Sequence, residues 1–173
     1  MGMIPVLNCT IKDSAFGQGL FLGGEEKVDM RILHILNGDC ALSGWQQGGF
    51  AGEVLVWREN YLLGELPETA DITGFNRIRA DILHRAAPER PEEEIFTELQ
   101  EMHKTLFTLC SGDRLVLWLD CCSFDQALKK RLLELISLLP EKPEIYLVQE
   151  DVVWDSEAFA LYRNWEAYFY PAE

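Results

Sequence analysis

A chain of 173 residues with 48% hydrophobic and 25% charged residues has the length and balance of one globular domain, able to bury a core without a metal or disulfide. A net charge of −14 leaves no basic patch to grip a phosphate backbone, which excludes the nucleic-acid binders. No apolar run approaches a membrane span, and five cysteines without Cys-x-x-Cys spacing suggest neither a disulfide framework nor a zinc site.

The first thirty residues lack a basic start, a long apolar stretch and a small-residue cleavage site, so no signal peptide is expected and the cytoplasm is the default location. Val6 to Ile11 and Leu20 to Leu22 are short strand candidates around the Gly17, Gln18, Gly19 turn. Residues 1–30 therefore suit a hairpin or an arm packed at a sheet edge. Pro5 and the glycines suit an irregular arm equally well.

Residues 31–173 are read as one α/β domain. Ile32 to Leu36 is a short apolar run ended by Asn37, Gly38 and Asp39, turn residues that also start helices. A short helix should follow, stopped by Gly44 and then by Gln47, Gly48 and Gly49. Val54 to Trp57 is the next strand, ending in Arg58 and Glu59, and a loop with leucines runs from Tyr61 to Pro67. A helix is expected from about Thr73 to Arg85, stopping before Pro88. Pro91 and Glu92 to Glu94 open another, with Ile95, Leu99, Met102, Leu106 and Leu109 at helical spacing and Gly112 as its stop.

Leu115 to Leu119 is too short for a helix and continuously apolar, as a strand buried on both faces must be. Ser123 and Gln126 have capping-box spacing, so this strand should turn directly into a helix striped by Phe124, Leu128, Leu132, Leu135 and Leu139. Ile145 to Val148 is a fourth strand, and Ser156 to Tyr168 a last, aromatic helix that either packs on the sheet or meets a partner protein or a second copy. Such alternation predicts a three-layer sandwich with a mostly parallel, flavodoxin-like or Rossmann-like sheet of at least four strands.

Parallel sheets bind ligands beyond the carboxyl ends of their strands, which puts Asn37, Gly38, Asp39, Arg58, Glu59, Asp120, Cys121, Cys122, Asp125 and Gln126 at the rim. Asn37 to Asp39 either presents amides to an anion or is a plain turn with Asp39 as N-cap; neither GxGxxG nor a Walker lysine accompanies it. Asp120 and Asp125 can do acid–base work or hold a divalent cation, or Asp125 can serve only the helix dipole. Cys121 and Cys122 precede a helix, where a thiolate is stabilised, but small buried hydrophobes are the commoner role of free cysteines. Arg58 and Glu59 either share a ligand or pair with each other. His34 reads as a satisfied core residue, His84 and His103 as surface groups on helices.

With Val54 to Trp57 outside Ile32 to Leu36 and Leu115 to Leu119 on its other side, a crevice would lie between the two polar turns. Asp39 and Asp120 would then share a pocket with Arg58 at its margin, and two carboxylates there favour a metal-bridged or cationic group.

The blocks LHILNGD, GEVLVWREN with the following LLGELP, and DRLVLWLDCCSFDQALKKRLLELI resemble the bacterial domain-of-unknown-function family eighteen-thirty-five, over about Arg31 to Glu173. The resemblance implies polar positions at Asn37, Gly38, Asp39, Arg58, Glu59, Asp120, Asp125 and Gln126. It also implies departures: Leu62 and Leu63 stand where the family has His-Glu, and Asp120, Cys121 and Cys122 where it has Glu-His-Asp. No cofactor and no reaction follow. Two functions are carried forward: binding of a small, nucleotide-like or phosphorylated ligand at the strand ends, or a non-catalytic interaction or regulatory module that has lost the family's polar site.

Overall fold

The computed structural model describes residues 30–68 and 71–171, so the expected N-terminal hairpin lies outside the described residues. Four strands, β1 (Ile32–Asn37), β2 (Glu53–Trp57), β3 (Arg114–Leu119) and β4 (Glu144–Gln149), are parallel in the order β2-β1-β3-β4. A two-residue strand, β5 (Phe169–Tyr170), closes the far edge antiparallel to β4. Of the flavodoxin-like and Rossmann-like arrangements that the sequence allows, the order found is the flavodoxin-like one.

The two sheet faces separate by residue parity. Leu33, Ile35, Leu115, Leu117, Leu119 and Ile145 join one apolar cluster, and Leu36, Val116, Trp118, Tyr146 and Val148 join the other. Consecutive strand residues point to opposite faces, and both are covered, which is why β1 and β3 read as unbroken apolar runs. On the first face lie α2 (Ile72–Ala86), α3 (Glu92–Phe107) and α4 (Ser123–Ser137), while α1 (Leu42–Gly48) and α5 (Ser156–Leu161) cover the second.

Local chemistry explains most helix ends. Asp71 caps α2 by accepting from the amides of Thr73 and Gly74 at 3.2 and 3.0 Å, and Asp155 does the same for α5. Pro91 precedes α3, whose first turn carries three glutamates at the positive end of the dipole. The five apolar positions from Ile95 to Leu109 are all buried, each contributing about 1.5–3 kcal/mol of burial.

Several expectations need correction. Gly44 lies inside α1, where it serves packing: a Cβ there would stand 2.6 Å from the Asp155 carbonyl carbon. Ser123 is the first residue of α4 rather than its cap, because Cys122 holds the extended capping position and no capping-box bond forms. Phe124 is half exposed instead of joining the α4 stripe. α3 stops at Phe107, and Gly112 instead makes the positive-φ turn into β3. The single aromatic helix is broken into α5, a 3-10 turn at Trp165–Tyr168 and β5, so that Trp165 can pack edge-on against Tyr146 at 4.9 Å. His103 is buried at 1% exposure among Trp57, Phe75 and Phe107. His84 is half-buried, bonded through Nδ1 to the Arg90 carbonyl at 2.7 Å. Among the described residues, no helix is long and apolar enough to cross a membrane.

Candidate functional site

The connections place α1 on one face and α2, α3 and α4 on the other, so the winding reverses between the adjacent strands β1 and β3. In such folds the strand-end turns at a reversal are where a crevice can open. Here those turns are Asn37 to Asp39 after β1 and Asp120 to Cys122 after β3.

Gly38 makes the first turn possible. Its φ is +72°, and its amide donates to the Trp57 carbonyl at 3.0 Å, tying the turn to the end of β2. Gly38, not Asp39, is the cap of the 3-10 turn at Asp39–Ala41, and no side chain caps it. The Asp39 carboxylate is taken by Arg58, whose Nη2 donates at 2.6 Å and whose Nε donates to both oxygens at 3.1 and 3.0 Å. The Arg58 guanidinium holds the Asp39 carboxyl below its ordinary value. Arg58 also reaches Glu98 at 3.4 Å, and Glu98 accepts from Arg90 at 2.7 Å, giving an alternating Asp39–Arg58–Glu98–Arg90 chain along the rim.

The second turn is built around Asp125, which is 4% exposed. One oxygen accepts from the Asn37 side chain and the other from the Asp120 amide at 2.5 Å, so this carboxylate joins β1, the β3 turn and α4. Burial pushes the Asp125 carboxyl up, partly opposed by those two donors. The Asp120 side chain accepts from the Cys122 amide at 2.6 Å, and the Asp120 carbonyl accepts from Gln149, itself held by Lys129 at 2.8 Å. Asp120, Cys122 and Asp125 offer ligand atoms within 4.8 Å of one another, although both Asp125 oxygens are already committed to these hydrogen bonds. The Gln126 amide closes the first α4 turn on the Cys122 carbonyl at 3.0 Å.

The cysteines correct their expected burial. Cys40, Cys121 and Cys122 are exposed at the rim. Desolvation, then the Asp120 carboxylate, push the Cys122 thiol up, so the thiolate needed of a nucleophile is disfavoured. No family model, curated protein or solved structure matches this chain.

Arg58 and Glu59 do not pair with each other. Glu59 turns inward, 6% exposed, and accepts from the fully buried Arg79 at 2.8 Å. Arg79 also donates to the carbonyls of Asn60 and Leu63 at 2.8 and 2.7 Å, so the pair organises the loop after β2 away from the crevice. The structure thus gathers Asn37, Gly38, Asp39, Asp120, Cys122, Asp125 and Gln126 around one strand junction, with Arg58 beside them on Asp39. Sequence inspection did not find Glu98, Arg90, Lys129 or Gln149. Gln149 ends β4 beside Asp120, whereas Glu98, Arg90 and Lys129 lie far from the strand ends in sequence and reach the rim only through helix packing.

Proposed function

We propose that this domain binds a small phosphorylated or nucleotide-like ligand between the carboxyl ends of β1 and β3. The observation that carries the reading is the reversal of winding at that junction, bordered by the Gly38 turn and the start of the fifteen-residue α4. Arg58 is the side chain that supports an anion. Asp39 is neutralised by Arg58, leaving an exchangeable guanidinium at the margin, since an incoming phosphate competes for the same bidentate donors as the carboxylate. Asp125, already bonded to Asn37 and the Asp120 amide, positions the two turns in this reading. No reaction is assigned, and the exposed thiols suit a reducing cytoplasm. The three ordered sequence blocks are the ground for treating the chain as a divergent relative of the family named above.

A thermal-shift panel of nucleotides, phosphosugars, inorganic phosphate and divalent cations tests the proposal. A ligand bound only by the folded state at a hundred times its Kd adds about 2.7 kcal/mol of stability. At least one phosphorylated compound is expected to raise Tm, and Arg58→Gln to reduce that shift. No shift with any phosphorylated compound, or a shift unchanged in Arg58→Gln, rejects it. A shift with divalent cations alone would instead favour the carboxylates as the binding groups.

A further inference from the structure

The Asp39 carboxylate takes no part in building the turn that carries it. Backbone bonds hold that turn: the Gly38 amide donates to the Trp57 carbonyl at 3.0 Å and the Leu42 amide to the Asp39 carbonyl, and no side chain caps it. Among the described residues, the carboxylate has Arg58 as its one hydrogen-bond partner. The Asp39 side chain is 63% exposed, so rotation about its own χ1 swings it off Arg58 and leaves the turn as it is.

The two arginines of the rim are anchored at their bases instead. The Arg58 amide donates to Met102 Sδ at 3.2 Å. The Arg90 amide donates to the Ala87 carbonyl at 3.1 Å, its carbonyl accepts from His84 Nδ1 at 2.7 Å, and Pro91 follows it. Glu98 draws the two guanidinium groups together, one carboxylate oxygen accepting from Arg58 at 3.4 Å and the other from Arg90 at 2.7 Å. The Arg90 charge also reaches the place that the Asp39 carboxylate occupies: hydrogen bonding to Arg58 does most to hold that carboxyl low, and Arg90 adds to it through space.

We propose, resting on the phosphorylated-ligand reading, that the Asp39 carboxylate is an intramolecular stand-in for the ligand's phosphoryl group, which displaces it from Arg58 and is held by Arg58 and Arg90 together. A carboxylate and a phosphoryl group accept the same paired N–H donors of a guanidinium. The phosphoryl group brings a third oxygen and a larger negative charge, so it offers Arg90 an acceptor that Asp39 does not. While Asp39 is in place, the charges of Asp39, Arg58, Glu98 and Arg90 cancel; once it swings out, the other three keep one net positive charge. An ion pair whose side chains are 35% and 63% exposed is broken at small cost, so the stand-in yields to a better acceptor.

Titration of the isotope-labelled full chain with inorganic phosphate and pyrophosphate, followed by nuclear magnetic resonance of the arginine Nε–Hε groups, tests the proposal. The Arg58 and Arg90 signals are both expected to move. Asp39→Asn should tighten binding about twofold to fivefold, the range set by an exposed ion pair, and Asp39→Ala should do at least as much. Arg90→Gln should weaken it about tenfold. Each substitution removes one member of the same ion-pair chain, so a merely structural disturbance would weaken binding in both, and opposite signs mark displacement. Binding that Arg58→Gln abolishes but that both Asp39 variants leave unchanged or weaker, or an Arg90 signal that stays still, overturns the stand-in and leaves the phosphorylated-ligand reading in place. No binding of either probe by Asp39→Ala, in which Arg58 has lost its carboxylate, overturns the stand-in too, whatever the nucleotides and phosphosugars do.

Discussion

His34 and His103 show how one residue type acquires opposite bookkeeping from its hydrogen bonds. The His34 Nε2 donates to the Ala51 carbonyl at 3.0 Å and its Nδ1 accepts from Trp118 at 3.0 Å, so both nitrogens are satisfied only in the neutral form. His103 donates from Nδ1 to the Leu99 carbonyl at 2.8 Å, which leaves its buried Nε2 without a partner among the described residues. Burial lowers both, His103 to about 4. Such a histidine takes its proton more readily when unfolded, so stability is intact above the ordinary value of 6.5 and declines as pH falls toward about 4. Urea unfolding should therefore show His103 removing about 2 kcal/mol between about pH 7 and about pH 5. His103→Leu should flatten that loss, and an unchanged pH slope in the variant would exclude this origin.

Among the elements, α1 is the one whose sequence and packing disagree most plainly. Its seven residues include Gly44 in the interior and Gly48 as the last, a poor helix by propensity. Contact with the start of α5 explains the first glycine, since a methyl group would collide with backbone at Asp155 and Ser156 at 2.6 and 2.9 Å. Gly44→Ala should therefore destabilise by about 1–3 kcal/mol, although alanine is the better helix former. Chemical denaturation measures it, and a gain in midpoint would mean that α5 yields at no cost.

For the whole molecule, a single sheet couples the two apolar clusters. Trp45, Trp118, Trp154 and Trp165 lie on the α1 and α5 face, whereas the three long helices cover the other. Neither layer keeps its burial if the sheet between them dissolves. Tryptophan fluorescence, dominated by the α1 and α5 face, and far-ultraviolet circular dichroism, dominated by α2, α3 and α4, should report coincident urea transitions. Separated midpoints would show that one layer unfolds alone.

The sequence by itself determined the four parallel strands but not their order, because a strand covered on both faces must be continuously apolar and short, as Leu115 to Leu119 is. Helical spacing likewise marked α3 from Ile95 to Leu109. Tertiary structure alone decided the partners of the charged rim. Arg58 stands next to Glu59 in the chain just beyond β2, yet one reaches Asp39 and the other the buried Arg79. The break in the aromatic C-terminal stretch was equally illegible, because the gain comes from Trp165 packing on Tyr146 of β4, a contact that local helical spacing does not encode. Positions that answer to local geometry were readable from residue order, and those that answer to a distant partner required the assembled sheet.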